Sequence, residues 1–120
     1  MAPVATTTKT KENDMYARRV SIKLKPNSTA EFTKQLQSQI IPMLQKQRGF
    51  KDEISFVSSS GGDAFAVSLW DKKESADTYN REHYAEVSKM LEKLVVGTPS
   101  VDTYEVANST FHKIGAAATA

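Results

Sequence analysis

The chain contains no cysteine. That excludes a disulfide frame, a thiol nucleophile and a thiolate-held metal. It leaves the redox compartment open and fits a reducing cytoplasm, which is the expected location. Histidine is scarce: His83 and His112 are the two in 120 residues. They are too few and too far apart for a tetrahedral zinc set, so no metal site is expected. No stretch approaches the ~20 apolar residues of a membrane helix. Residues 1–13 are small and polar, with no apolar run of signal-peptide length. A membrane is therefore not expected as a partner. An excess of one charge is also lacking: 16 Lys and Arg against 14 Asp and Glu leave a formal net charge of +2. That is too small to indicate nucleic acid. Gly61-Gly62 sits between two strand patterns and not before a helix, so no phosphate-cradling loop is present.

Hydrophobic residues make up 39% of the chain and charged residues 25%, which excludes wholesale disorder. A chain of this length forms one domain and hides about two thirds of its unfolded surface. We read residues 1–13 as a flexible arm, 14–107 as the domain and 108–120 as a tail.

Tyr16 to Leu24 alternates, with Tyr16, Val20, Ile22 and Leu24 on one side, as in a strand with one buried face. Arg18 interrupts that apolar row. After Lys25-Pro26-Asn27, Ser28 and Glu31 have the spacing of a capping box. Phe32, Leu36, Ile40 and Leu44 then recur at intervals of four, an apolar helical stripe. Pro42 removes one amide donor and is expected to bend its end, and Gly49 to stop it. Phe50–Val57 and Ala64–Trp70 read as two strands joined by a hairpin at Ser58–Asp63. In the first of them, Ile54 and Phe56 share a phase. In the second, one side is Phe65, Val67 and Leu69 and the other Ala64, Ala66, Ser68 and Trp70; neither is charged. Asp71 and Glu74 repeat the capping pattern. A short helix runs to about Asn80 and a second begins near Glu82, with Tyr84, Val87, Leu91, Leu94 and Val95 on one face and Gly97 and Pro99 as its stop. Val101–Val106 is the last strand.

The order β-α-β-β-α-β predicts an α+β, ferredoxin-like fold with a four-stranded antiparallel sheet. Two helices cover one face of such a sheet. The apolar third strand argues that a second copy covers the other, giving a homodimer; a solvated Ala/Ser/Lys/Arg face on a monomer is the alternative. Phe111 and Ile114, beyond the fold, are expected to pack on the partner subunit.

Three segments carry a family resemblance. They are Lys25-Pro26-Asn27-Ser28 with Ala30, Glu31 and Phe32; Ile40-Ile41-Pro42-Met43-Leu44 through Gly49-Phe50; and Ser68-Leu69-Trp70-Asp71 with Ser75, Ala76, Tyr79, His83 and Tyr84. In order and spacing they resemble the antibiotic biosynthesis monooxygenase-like family of dimeric α+β barrel proteins. The resemblance implies a homodimeric barrel with an apolar cavity between sheet and helices in each subunit. It also implies, for some members, oxidation of aromatic molecules by molecular oxygen without metal or flavin, so no cofactor is expected. Members that degrade haem carry a helical histidine where this chain has Lys89, and a first-strand asparagine where it has Arg18, Arg19 and Val20. That activity is not expected here.

The expected function is a cofactor-independent monooxygenase acting on a small aromatic or quinone-like molecule. The alternative is a non-catalytic homodimeric binding or stress-associated protein of the same fold. Trp70 is a candidate catalytic residue, a flat surface for an aromatic substrate, or else a core anchor. His83 is a candidate for moving a proton, or else a helix cap. Tyr79 and Tyr84 are candidate hydrogen-bond donors to a quinone oxygen, or else packing residues. Arg18 is a candidate for binding an anionic group, or else half of a salt bridge across the sheet. Asn80 is a further polar candidate, or else a helix end.

Overall fold

The structure, a computed structural model, describes residues 15–110. The expected arm at 1–13, most of the tail, and the seats of Phe111 and Ile114 lie outside the described residues. Strand β1 (Tyr16–Leu24) leads through helix α1 (Thr29–Gln35), a wide π turn (Leu36–Ile40) and helix α2 (Ile41–Gln45) to β2 (Phe50–Val57) and β3 (Asp63–Trp70). Helices α3 (Lys73–Glu82) and α4 (Tyr84–Leu91) then precede β4 (Val95–Glu105). The strands pair antiparallel in the order β2-β3-β1-β4, the ferredoxin-like arrangement. No helix among the described residues is long and apolar enough to cross a membrane.

The predicted stripe is the centre of the core. Phe32, Leu36, Ile40 and Leu44 are buried with Ile22, Leu24, Ala64 and Trp70 of the sheet and Val87 and Leu91 of α4. Each large side chain contributes about 1.5–3 kcal/mol by leaving water. These helices are too short to persist alone, so the sheet is what holds them. The bend expected at Pro42 is absorbed one turn earlier. The backbone widens into a π turn over Leu36–Ile40, and Pro42 falls in the first turn of α2, where its missing amide has no partner to lose.

Three local expectations are corrected. Ser28 makes no side-chain cap, because its backbone is already helical (φ −105°, ψ 0°) and only its carbonyl joins the helix, accepting the Phe32 amide at 2.9 Å. Asp71 is not the cap of α3; that position belongs to Lys72, in extended conformation, while the Asp71 carboxylate accepts the Ser75 hydroxyl at 2.6 Å. Gly97 and Pro99 do not stop the last helix. It ends at Leu91, and β4 starts at Val95 and carries both residues through an irregularity. Gly97 takes φ +76° there, and a bulge tolerates a proline without an amide. Leu94 thus lies in a turn and Val95 in a strand, not on a helix face.

Gly49 does stop α2's chain segment, with φ +85°. Its carbonyl accepts the Asp71 amide at 2.8 Å, joining the start of β2 to the end of β3. A Cβ there would lie 2.3 Å from both Asp71 Oδ1 and Ser75 Oγ. Gly49→Ala is expected to cost about 3 kcal/mol through backbone strain and overlap. Thermal unfolding followed by circular dichroism should show a fall of roughly 10 °C.

The register shows which side of the sheet the helices cover. Tyr16, Arg18, Val20 and Ile22 face Trp70, Ser68, Ala66 and Ala64 across β1 and β3, on the helix side. The outer side holds Phe65, Val67 and Leu69 of β3 with Ile54 and Phe56 of β2. The more apolar side of both strands is therefore the uncovered one. Ile54 is 40% and Phe56 45% exposed in the protomer. The Ala/Ser row of β3 lies inward, while Arg19, Ser21 and Lys23 of β1 lie outward, so the outer side joins apolar residues of β2 and β3 to polar ones of β1.

Candidate functional site

Between sheet and helices lies a cavity of about 50 Å³. Its walls are almost wholly apolar: Val20 and Ala66 from the sheet, Phe32, Leu36, Ile40 and Leu44 from the first helical segment, Val87 and Leu91 from α4. The π turn brings Leu36 and Ile40 to the same wall. Four groups break this lining: Arg18, Glu53, and the Tyr79 and Tyr84 rings; Ser68 lies on the floor between the first two.

Arg18 is buried, 3% exposed. Its Nη2 donates to Asn80 Oδ1 at 2.6 Å. The guanidinium carbon stands 4.2 Å from the centre of the Tyr84 ring and 5.4 Å from that of Tyr79. Cation–π attraction and one amide oxygen thus hold a charge that no carboxylate among the described residues neutralises. The ion pairs found among the described residues, Lys73–Asp77, Arg81–Glu82 and His83–Glu82, all lie elsewhere. The salt bridge that is the alternative for Arg18 is not formed among the described residues. Burial lowers the Arg18 pKa and the two tyrosines offset part of that; the group stays charged. A buried cation without a counter-ion is costly to keep, and an anion entering the cavity would relieve that cost.

Burial pushes the Tyr79 phenol up to about 12, against the opposing pull of Arg18. Tyr84 is raised for the same reason. Tyr79 therefore keeps its proton at neutral pH and is available as a hydrogen-bond donor. Trp70 is completely buried behind this site. Its ring stacks on Tyr79 at 5.2 Å and meets Phe50 edge-on at 5.6 Å, and its Nε1 donates to Ser68 Oγ at 2.9 Å. It braces Tyr79 and does not line the cavity. His83 lies between α3 and α4, its amide donating to the Tyr79 carbonyl at 2.8 Å and its carbonyl accepting the Glu86 amide at 3.1 Å. Its ring, 6.4 Å from that of Tyr79, is not in the cavity wall either.

Of the six candidate residues, the fold thus gathers Arg18, Tyr79, Tyr84 and Asn80 and sets Trp70 and His83 outside that group. Glu53 was missed. It alternates with Ile54 and Phe56, and a polar residue in that phase reads as solvent-facing. The register turns it inward, opposite Ser68.

No family model matches the chain, and no curated protein does. Solved structures do match. A monooxygenase of Streptomyces coelicolor from the gene ActVA-Orf6, in complex with nanaomycin D, superposes with a TM-score of 0.69 at 13% identity, over 81% of this chain and 91% of that one. SnoaB, a cofactor-independent oxygenase from Streptomyces nogalater, gives 0.67 at 11% identity, over 81% and 97%. The protein NE2512 of unknown function from Nitrosomonas europaea gives 0.69 at 13% identity, over 82% and 95%. The chain has the α+β, ferredoxin-like fold of the antibiotic biosynthesis monooxygenase-like proteins.

Proposed function

We propose that this protein binds a small aromatic or quinone-like molecule beneath its sheet and oxidises it with molecular oxygen, without a cofactor, as a homodimer whose two sheets pack outer face to outer face. The observation that carries the reading is Arg18, a buried guanidinium at the wall of an apolar cavity with two phenols beside it and no carboxylate partner among the described residues. Such a constellation suits a flat ring bearing an oxygen that becomes negative. Loss of a substrate proton leaves a carbanion, delocalised onto that oxygen. The carbanion passes one electron to oxygen, and the radical pair recombines to a peroxide. Loss of water from the peroxide leaves a carbonyl. Apolar walls keep the carbanion from being reprotonated by solvent. Two similar structures support the reading: an oxygenase described as cofactor-independent, and a monooxygenase holding nanaomycin D.

The cavity's size favours a second reading. At about 50 Å³ it is smaller than the roughly 150 Å³ void that holds a single benzene. A ring enters only as the helical wall moves outward. If that wall stays closed, the chain is a non-catalytic dimer of the same fold.

Titration of the Trp70 fluorescence separates the two. Trp70 is the sole tryptophan and touches Tyr79 of the cavity wall. The anionic 2-hydroxy-1,4-naphthoquinone is expected to bind, and Arg18→Met to weaken it about 10–100-fold, the worth of a charge-assisted hydrogen bond. Uncharged naphthalene should bind wild type and variant alike, since methionine preserves the bulk. Equal affinities for the anion would remove Arg18 from the site. Oxygen uptake with hydroquinones and anthrone then reports whether binding leads to oxidation.

A further inference from the structure

We propose that Glu53 is the group that takes the substrate's proton, with Arg18 holding the anion that this leaves; the assignment rests on the aromatic-binding reading of the cavity. The placement comes from strand register. Glu53 pairs with Ser68, and Ser68 pairs with Arg18, so the three form one row across β2, β3 and β1 on the helix side. Two strand spacings, roughly 10 Å, separate the outer pair. No ion pair joins them among the described residues. Glu53 instead accepts the hydroxyl of Ser55, its neighbour on the same side of β2. Both Glu53 and Arg18 line the cavity, and a ring system lying along the row meets the carboxylate at one end and the guanidinium at the other.

The separation matters chemically. A carboxylate paired with arginine is a poor base, because protonation would break the pair. Glu53 is unpaired and half-buried. Burial raises its pKa above the ordinary carboxylate range, with the Ser55 hydrogen bond opposing, so it binds a proton more readily than an exposed glutamate. The other titratable groups facing the cavity are Arg18 from β1, Tyr79 from α3 and Tyr84 from α4, with the Ser68 hydroxyl of β3 between Arg18 and Glu53, while the first helical segment presents only apolar side chains. Arg18 is the one cation among them and both tyrosines are neutral donors. In the transfer, a C–H bond next to a substrate carbonyl, or across the ring from it and conjugated with it as in anthrone, breaks and its electron pair stays on the substrate as an enolate. The proton joins a Glu53 oxygen, forming a carboxylic acid. The negative charge moves from Glu53 to the enolate oxygen beside Arg18, and the net charge of the cavity is unchanged.

Hydrogen–deuterium exchange into anthrone and the smaller 2-indanone, in deuterated buffer without oxygen, isolates this step from oxidation. Wild type is expected to speed exchange, with a rate that climbs with pH through a midpoint above the usual carboxylate value of about 4.3. Glu53→Gln should lower the rate by about 100-fold or more and flatten that climb, while leaving ketone affinity within about threefold. Glu53→Asp, which keeps the base but shortens its reach, should recover part of the rate. Equal exchange in Glu53→Gln and wild type, or a loss that appears instead in His83→Ala, overturns the assignment. Binding without exchange in wild type overturns it too, and leaves a binding protein. Failure of wild type to bind either ketone overturns the aromatic-site reading and the assignment with it.

Discussion

Replacing Trp70 with alanine is expected to lower the stability of the protein by about 3–5 kcal/mol, measured by urea unfolding with linear extrapolation. Small domains have about 5–15 kcal/mol in all, so this one change removes a large share. The reason is position. The indole is completely buried at the end of β3, stacked on Tyr79 and edge-on to Phe50. Its truncation leaves a void at the point where sheet and α3 meet. It also strips a 2.9 Å hydrogen bond from the buried Ser68 hydroxyl. Trp70→Phe keeps most of the volume and loses the N–H, and should cost about 1–2 kcal/mol. A change below about 1 kcal/mol for alanine would show that the ring is not a core anchor. The pair of variants also separates packing from chemistry. A phenylalanine that leaves oxidation intact would confine Trp70 to bracing Tyr79.

Introducing a charge on the outer face is expected to split the proposed dimer. Phe56 stacks on Phe65 at 4.6 Å beside Ile54 and Val67, and 45% of its surface is open in the protomer. Phe56→Asp therefore costs the single chain little. In a sheet-to-sheet interface it buries an unpaired carboxylate, a penalty of several kcal/mol and at least about 100-fold in dissociation constant. Arg19 lies on the same face, its guanidinium 4.4 Å from the Phe65 ring and its Nε buried with no partner among the described residues. Light scattering at micromolar concentration should give twice the 13.3 kDa of one chain for wild type and one chain's mass for Phe56→Asp. A wild-type particle of single mass would remove the dimer.

Much of this architecture is legible in local patterns. The alternation in β1, the stripe Phe32-Leu36-Ile40-Leu44 and the glycine at 49 each mark an element whose periodicity or φ requirement leaves little choice. Arg18 also announces itself, since a cation in an apolar row must be paired, held or exposed. Glu53 does not. Its phase relative to Ile54 and Phe56 reads as the wet side, because a strand's pattern distinguishes its two faces without telling which one the helices cover. Phe65, Val67 and Leu69 make the same point from β3: the greasier side is the one turned away from the helices.

Chain chemistry alone thus settles the kinds of elements and their order, since these follow from side-chain spacing and apolar content along the backbone. Tertiary packing decides the rest. Strand register sets Glu53, Ser68 and Arg18 in one row. The meeting of α3 with the sheet seals Trp70 behind Tyr79, and the break between α3 and α4 holds the His83 ring out of the cavity wall. Residues far apart in the chain, such as Arg18 and Ser68, become neighbours only when strands pair, and no periodicity within a single segment carries that information.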